Sequence, residues 1–226
     1  MKILLTSGGT REPIDAARFV TNMSSGRTGR VIAETLAGRG CELLCLCAAG
    51  AERPAGDNIR VKSFSTFSEL DAALRVSLGA ETFDAVIHLA AVSDYSPSLI
   101  EADGKTFLPG SDAKLDSSPA EMRVTLKRNF KILDRIKGYA AAAGRPEPLL
   151  IGFKLTAGAG PEQALQKVRA LAGADLVVHN DLEEMRRARI FRLYSNGART
   201  GACTGAGELA GKLFNFIENR TEALCY

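Results

Sequence analysis

The chain has 226 residues, and its 29 basic and 26 acidic side chains leave a net charge of only +3. This balance gives no reason to expect nucleic acid or a membrane surface as partner, and no apolar run is long enough to span a bilayer. Five cysteines without C-x-x-C spacing, and an N-terminus without a signal-peptide pattern, favour a reducing, cytoplasmic location.

The first predicted element is a buried strand, Ile3 to Leu5, followed by adjacent glycines that permit a sharp turn with exposed N–H groups. A second small-residue loop, 22–29, leads into a predicted helix over 30–37. Serine, glycine and arginine at a helix start suit an anion, because the first N–H groups of a helix lack internal partners. Such residues also cap helices without any ligand, so an anion site and an ordinary cap both remain open.

Strand and helix patterns alternate along the rest of the chain, which predicts a Rossmann-like α/β fold with a mostly parallel central sheet and helices on both faces. We expect one domain, residues 1–226, with a small strand extension. The predicted strands are 42–47, 59–64, 84–92, 121–126, 149–155, 174–180 and, as an edge strand, 189–194. The predicted helices are 68–78, 130–143, 161–171 and 207–218. Residues 96–118 show no sustained period and are predicted to form a flap-like loop.

Six motifs in one order resemble those of phosphopantothenoylcysteine synthetase, in its stand-alone bacterial form. They are TSGGTREPID at 6–15, RFVTNMSSG at 18–26, AAVSDY at 90–95, AKLDSS at 113–118, IGFKL at 151–155 and ADLVVHND at 174–181. Each alone would be weak, but six in order are specific.

The resemblance implies an enzyme of coenzyme A biosynthesis that ligates 4′-phosphopantothenate with L-cysteine through an acyl-nucleotide, with CTP expected in preference to ATP. Mg²⁺ would accompany the triphosphate. A homodimer is also implied. The chain has no room for the flavin decarboxylase domain that many bacteria fuse to this enzyme, so a separate decarboxylase partner is conceivable.

Two catalytic residues follow from the resemblance. Asn22 matches an asparagine that turns the acyl-nucleotide into product, although asparagine at such a place is also an ordinary helix cap. Lys114 matches a lysine that a flap brings to the triphosphate, although a lysine in a loop is usually only solvated.

The resemblance also implies a nucleotide-binding set drawn from several loops and strand ends, and no metal-ligating residue. Phe130 stands where the family usually has proline, and Leu171 stands where a second lysine often follows Lys167. Without the resemblance, Asp94 would be a turn residue and Phe153 a core residue. The predicted set is Gly8, Gly9, Ser24, Ser25, Gly26, Ala90, Asp94, Phe130, Ile132, Phe153 and Lys167.

Two other functions remain open. An NAD(P)-dependent reductase would use residues 6–10 as a degenerate dinucleotide loop, but G-x-G-x-x-G and a Tyr-x-x-x-Lys pair are both missing. A non-catalytic nucleotide-binding protein is motivated by Leu171. His88 and His179, the only histidines, offer no metal spacing and are predicted to be strand residues.

Overall fold

The computed structural model describes residues 1–110 and 112–222. It has thirteen strands and six α-helices in this part of the chain. The strands are β1 (Lys2–Ser7), β2 (Arg11–Pro13), β3 (Phe19–Thr21), β4 (Glu42–Ala48), β5 (Ile59–Phe64), β6 (Ala85–His88), β7 (Tyr95–Ala102), β8 (Lys105–Phe107), β9 (Met122–Arg128), β10 (Leu149–Thr156), β11 (Leu176–Asp181), β12 (Ile190–Ser195) and β13 (Ala198–Thr204). The helices are α1 (Arg27–Ala37), α2 (Phe67–Ala80), α3 (Ile136–Ala141), α4 (Pro161–Arg169), α5 (Leu182–Arg187) and α6 (Gly205–Glu222).

The centre of the fold is an eight-stranded sheet in the order β13-β12-β11-β10-β6-β1-β4-β5. The six strands from β11 to β5 are parallel, and β12 and β13 extend the sheet in antiparallel fashion. The chain begins at β1 in the interior, proceeds outward to β5, and then crosses back to β6. The strand order therefore reverses between β1 and β6, and ligands bind at such a reversal in open α/β sheets. The predicted Rossmann-like sheet is confirmed.

Helices cover both faces of the sheet, and this coverage explains why the sequence of β1 is continuously apolar. Ile3 and Leu5 lie in one buried cluster with side chains of α1 and α6, whereas Leu4 lies in another with side chains of α2 and α3. Successive side chains of a strand point to opposite faces, so a strand covered on both sides needs apolar residues at every position.

The prediction of a flap-like loop at 96–118 is wrong for its first half. β7 and β8 form a hairpin, and β9 pairs with the other edge of β7 to complete a three-stranded antiparallel sheet. Asp103 and Gly104 join β7 to β8 with positive φ angles of 50° and 69°, as a tight hairpin turn requires. Pro97 lies at an irregularity in the β7–β9 register, where the ladder tolerates a residue without an N–H.

Several predicted boundaries are also corrected. The strand predicted over 84–92 ends at His88, and the helix predicted over 130–143 is a 3₁₀ turn (Ile132–Arg135) followed by the short α3. The helix predicted over 161–171 ends at Arg169. The strand predicted at the sheet edge, 189–194, is β12, and β13 lies outside it. The β2–β3 hairpin, β13 and α5 had no predicted counterpart.

The described cysteines are all buried free thiols: Cys41, Cys45, Cys47 and Cys203. Burial raises the pKa of Cys45 to about 12 and that of Cys203 to about 11, so these thiols are poor nucleophiles. Cys225 lies outside the described residues. None of the helices in the described part of the chain is long and apolar enough to cross a membrane.

Candidate functional site

A cavity of about 210 Å³ lies at the carboxyl ends of β1, β6, β10 and β11, beside the start of α1. This is the crevice expected at the reversal of strand order. Residues that the sequence did not single out, among them Leu89, Leu155 and Asn180, also line it. The predicted nucleotide-binding residues that line it are Gly8, Ser24, Ser25, Gly26, Ala90 and Phe153.

The start of α1 presents backbone N–H groups to this cavity. Gly26 occupies the N-cap position with φ 78°, a conformation that favours glycine, and Oγ of Ser25 accepts from the N–H of Arg27 at 3.3 Å. Gly29 lets the helix approach β1, since a Cβ there would lie 2.5 Å from the Cβ of Ser7. Arg30 is held by Glu34 and Glu52 at 2.8 and 2.9 Å, whereas Arg27 has no ion-pair partner in the described chain. The start of a helix suits a phosphate, because its first N–H groups lack partners within the helix.

Ala90 is held in place by a buried polar pair that the sequence did not indicate. The Ala90 N–H donates to Oγ1 of Thr6 at 3.1 Å, and the same oxygen lies 2.9 Å from Nδ1 of His88. Burial lowers the pKa of His88 to about 4, so its ring is neutral at neutral pH. The Thr6 hydroxyl can accept from Ala90 and also pair with Nδ1, as donor or as acceptor according to the tautomer of the ring. Both residues therefore position the backbone that ends β6.

Asn22 lies outside the cavity beside α1, in a neighbouring cavity of about 320 Å³ that Gly9 and Ser24 also line. Its side-chain amide donates to the carbonyl of Val92 at 3.0 Å. Next to it, Thr21 Oγ1 donates to the carbonyl of Thr10 at 2.6 Å. These two bonds join the loop before α1 to the loops after β1 and β6. Asn22 is exposed, and its amide oxygen remains available to a ligand.

Lys114 is exposed and does not line the cavity, but its backbone is tethered on both sides. The carbonyl of Ala113 accepts from Ala16 N–H at 3.1 Å. Leu115 N–H donates to the buried carboxylate of Asp15 at 3.1 Å, and its carbonyl accepts from Arg18 at 3.2 Å. The Arg18 guanidinium, together with backbone N–H donors, holds the pKa of Asp15 far below its usual range. The carboxylate is therefore charged at neutral pH and keeps these donors.

Asp94, Phe130 and Ile132 are predicted nucleotide-binding residues whose side chains do not line the cavity. Asp94 is exposed and forms an ion pair with Lys131. Phe130 packs edge-on against Phe67, with ring centroids 4.8 Å apart, and Ile132 is buried in the core on the α2 side of the sheet. Their contact with a nucleotide stays a prediction.

Lys167 lies on α4 and borders another cavity, of about 450 Å³, together with Lys154. Leu171 follows the end of α4, and its Cδ2 atom lies 3.2 Å from the position that a Cβ on Gly152 would take. The place of the second family lysine is therefore filled by apolar packing against β10. The described residues contain no group of three or more His, Cys, Asp or Glu side chains that could hold a metal ion.

The sequence pattern of the DNA/pantothenate metabolism flavoprotein C-terminal domain matches residues 1–197. The chain belongs to this family. The assignment confirms the relationship predicted from the six motifs.

The curated relatives of this flavoprotein C-terminal domain include proteins described as coenzyme A biosynthesis bifunctional protein CoaBC. The protein from Thermococcus kodakarensis is 33% identical over 186 residues, which cover 80% of this chain and 41% of the relative. The protein from Escherichia coli K12 is 29% identical over 184 residues, covering 81% of this chain and 42% of the relative. The chain thus spans about two-fifths of the length of these relatives.

Solved structures agree with the fold of this flavoprotein C-terminal domain. The DNA/pantothenate metabolism flavoprotein from Streptococcus pneumoniae superposes with a TM-score of 0.83 at 26% identity, over 97% of this chain and 99% of that one. A Cab2 mutant in complex with phosphopantothenate-cysteine gives a TM-score of 0.74 at 17% identity, over 100% of this chain and 89% of that one. At this identity, the similarity to the Cab2 mutant shows a shared fold and nothing more.

Proposed function

We propose that this domain ligates 4′-phosphopantothenate with L-cysteine at the expense of a nucleoside triphosphate, with CTP preferred over ATP. The observation that carries the proposal is the cavity at the carboxyl edge of the sheet, where six predicted residues meet the start of α1. Membership in a family whose curated relatives are named for coenzyme A biosynthesis supports it. A homodimer in the cytoplasm, with a separate decarboxylase as partner, completes the proposal.

The proposed reaction has two displacements. A carboxylate oxygen of phosphopantothenate attacks the α-phosphorus of CTP, and pyrophosphate leaves with the electrons of the broken P–O bond. The amine of cysteine then attacks the acyl carbon, loses a proton to solvent, and CMP leaves. The four described thiols are buried, and the pKa of His88 is too low for a base at neutral pH. Activation by a nucleotide, without a protein nucleophile, fits these residues.

Five of the predicted residues have a side-chain role in this proposal. The α1 N–H groups with Ser24 and Ser25 would receive a phosphate, and Phe153 would pack against the base. Lys114 would neutralise charge during attack at phosphorus, and Asn22 would hold the acyl oxygen during attack by cysteine.

Mg²⁺ would arrive with the triphosphate, because it takes most of its oxygen ligands from phosphates and water.

The test is a pyrophosphate-release assay with phosphopantothenate and Mg²⁺, run with CTP or ATP and with or without cysteine, with the amide product identified by mass spectrometry. Asn22→Ala should still release pyrophosphate but form amide about 100-fold more slowly. Lys114→Gln should slow pyrophosphate release itself. Lys62→Gln, an exposed strand lysine on β5, is the matched control and should behave as wild type.

No amide with either nucleotide would overturn the proposal. Saturable binding of NADPH, but not of CTP, would then favour the reductase. Binding of CTP without turnover would favour a non-catalytic nucleotide-binding protein.

A further inference from the structure

A buried carboxylate on β2 has no role in the proposed reaction as described so far. Glu12 is only 4% exposed, and no lysine, arginine or histidine of the described chain pairs with it. Its oxygens accept instead from the N–H of Phe67, at the start of α2, and from the hydroxyl of Ser96, on β7, each at 2.8 Å. A buried charge without a cation is costly unless its hydrogen-bond donors are held in place, so these donors belong to a fixed arrangement.

Ser96 extends this arrangement to the loop that follows β6. Its Oγ accepts from Nδ2 of Asn129 at 2.8 Å, and the same NH₂ group donates to the carbonyl of Ser93 at 3.0 Å. The N–H of Ser93 donates to the buried Oγ1 of Thr10 at 3.0 Å. Both backbone polar groups of Ser93 are therefore held by side chains, and one of these side chains is linked through Ser96 to Glu12.

This network reaches Asn22 from two sides. The amide of Asn22 donates at 3.0 Å to the carbonyl of Val92, the residue that precedes Ser93. On the other side, Glu12 pairs with Val20 in the β2–β3 hairpin, and Val20 lies two positions before Asn22. Glu12 thus stabilises the strand that leads to Asn22 and, through the serine on β7, the loop whose carbonyl holds the Asn22 amide.

We infer that Glu12 is a positioning residue that orients the amide of Asn22 through Ser96 and Asn129. The inference rests on the proposed function for the step that it affects, whereas the hydrogen bonds themselves involve no substrate. A side-chain amide is planar, so a bond from Nδ2 to Val92 also fixes the direction of the amide oxygen. Asn22 is exposed, so its orientation depends on how firmly the segments around it are held.

The test compares wild type with Ser96→Ala and Glu12→Gln in single-turnover assays of pyrophosphate release and amide formation. Ser96→Ala removes the hydroxyl between Glu12 and Asn129. In Glu12→Gln, an NH₂ group faces either the N–H of Phe67 or the Oγ of Ser96, so one bond of the network is lost. We expect both variants to form amide about tenfold more slowly and to release pyrophosphate within about twofold of wild type, because Asn22 acts in the second step.

Ser98→Ala is the matched control, because Ser98 also lies on β7 but donates to the carbonyl of Thr125 within the three-stranded sheet. It should leave both steps within about twofold of wild type. In an Asn22→Ala background, Ser96→Ala should cause no further loss, since the side chain that it positions is absent. Equal losses in the two steps, or a further loss of about tenfold in that background, would overturn the inference.

A measurement without substrate separates this inference from the proposed function. The NMR signal of the Asn22 NH₂ group is assigned by its loss in Asn22→Ala, and its hydrogen exchange with solvent reports the bond to Val92. Exchange should be about tenfold faster in Ser96→Ala and Glu12→Gln and unchanged in Ser98→Ala. Unchanged exchange in the first two variants overturns the inference. If exchange is faster in both but wild type forms no amide, the proposed function fails and the positioning role stands.

Discussion

The Thr6–His88 pair shows how one residue can link the core to the site. His88 is buried at the end of β6, and Thr6 connects its ring to the backbone of Ala90, which lines the cavity. The sequence predicted His88 correctly as a strand residue, but nothing in its spacing indicated a partner 82 positions away. Only the parallel pairing of β1 with β6 brings Thr6 level with His88.

Burial of neutral His88 predicts an acid-sensitive fold. The pKa of His88 falls from its ordinary 6.5 to about 4, so between these values the unfolded chain binds more protons than the folded one. The free energy of unfolding should therefore decrease as the pH falls from 6.5 to 4, by up to about 3 kcal/mol from this residue. Urea titrations across this range measure it.

His88→Asn is the comparison for that experiment, since its amide oxygen can accept from Thr6 and it does not titrate. Its unfolding free energy should change less steeply in the same range. Equal slopes in wild type and variant would show that other groups cause the acid sensitivity.

At the scale of an element, α1 depends on a close approach to β1. A methyl group at Gly29 would lie 2.5 Å from the Cβ of Ser7, so Gly29→Ala must displace the helix start from the cavity. We expect a loss of about 1–3 kcal/mol in stability and weaker CTP binding, measured by urea denaturation and calorimetry. Gly138→Ala in α3 is the control. No atom lies within 4 Å of its new methyl group, so it should stabilise by about 0.5–1 kcal/mol.

If Gly29→Ala bound CTP as wild type does, the start of α1 would not be the phosphate site.

The hydrogen bonds that hold the Lys114 segment to Asp15 and Arg18, here called its tether, can be tested in the same way. Asp15 accepts hydrogen bonds through one oxygen from Ala17 and Arg18 N–H, and through the other from the Arg18 guanidinium and Leu115 N–H. In Asp15→Asn, the NH₂ group of the amide would face one of these two sets of N–H donors. It cannot accept hydrogen bonds from them, so those bonds would be lost. Asp15→Asn should therefore speed amide hydrogen exchange at 112–118 and lower kcat roughly 10- to 100-fold through misplacement of Lys114.

Asp116→Asn is the control on the same segment, because Asp116 bonds to its neighbour Ser118 and not to Ala16, Asp15 or Arg18. It should leave exchange at Leu115 and turnover close to wild type. Faster exchange in Asp15→Asn with unchanged kcat would show that the position of Lys114 does not limit the reaction.

Helices and strands were predicted correctly where a single apolar periodicity covers the whole segment. They were missed where the position of a turn determines the structure. The central strands could be predicted from uninterrupted apolar runs, because helices cover both faces of the sheet. The β7–β8 hairpin was missed although Asp103-Gly104 is a turn signal, because Pro97 and the glycines dominate the composition of that region.

For the whole molecule, the resemblance predicts a homodimer, and the structure suggests a surface for it. Tyr95 and Leu126 are 48% and 43% exposed, and the β7–β9 register places them on one face of the three-stranded sheet. Apolar groups clustered on an exposed sheet face are typical of an interface. Sedimentation equilibrium should give about twice the chain mass of 24.1 kDa.

Leu126→Lys should raise the dimer dissociation constant about tenfold by placing a charge in that surface. Val76→Lys, at a 64% exposed apolar position on α2, should leave the constant unchanged. A monomeric wild type would contradict the dimer, and equal effects of the two variants would contradict the choice of surface.

The sequence by itself determined the class of fold, the family and six of the fifteen residues around the cavity beside α1. These features can be predicted without a structure, because apolar periodicity is a property of neighbouring residues and the order of the six motifs is visible in the sequence. The tertiary structure alone decided which residues meet. Thr6 and His88 are paired although they lie 82 positions apart, and the tether of Lys114 joins residues 100 positions apart. Such convergence depends on strand order and crossover connections, which place distant strand ends at one edge of the sheet.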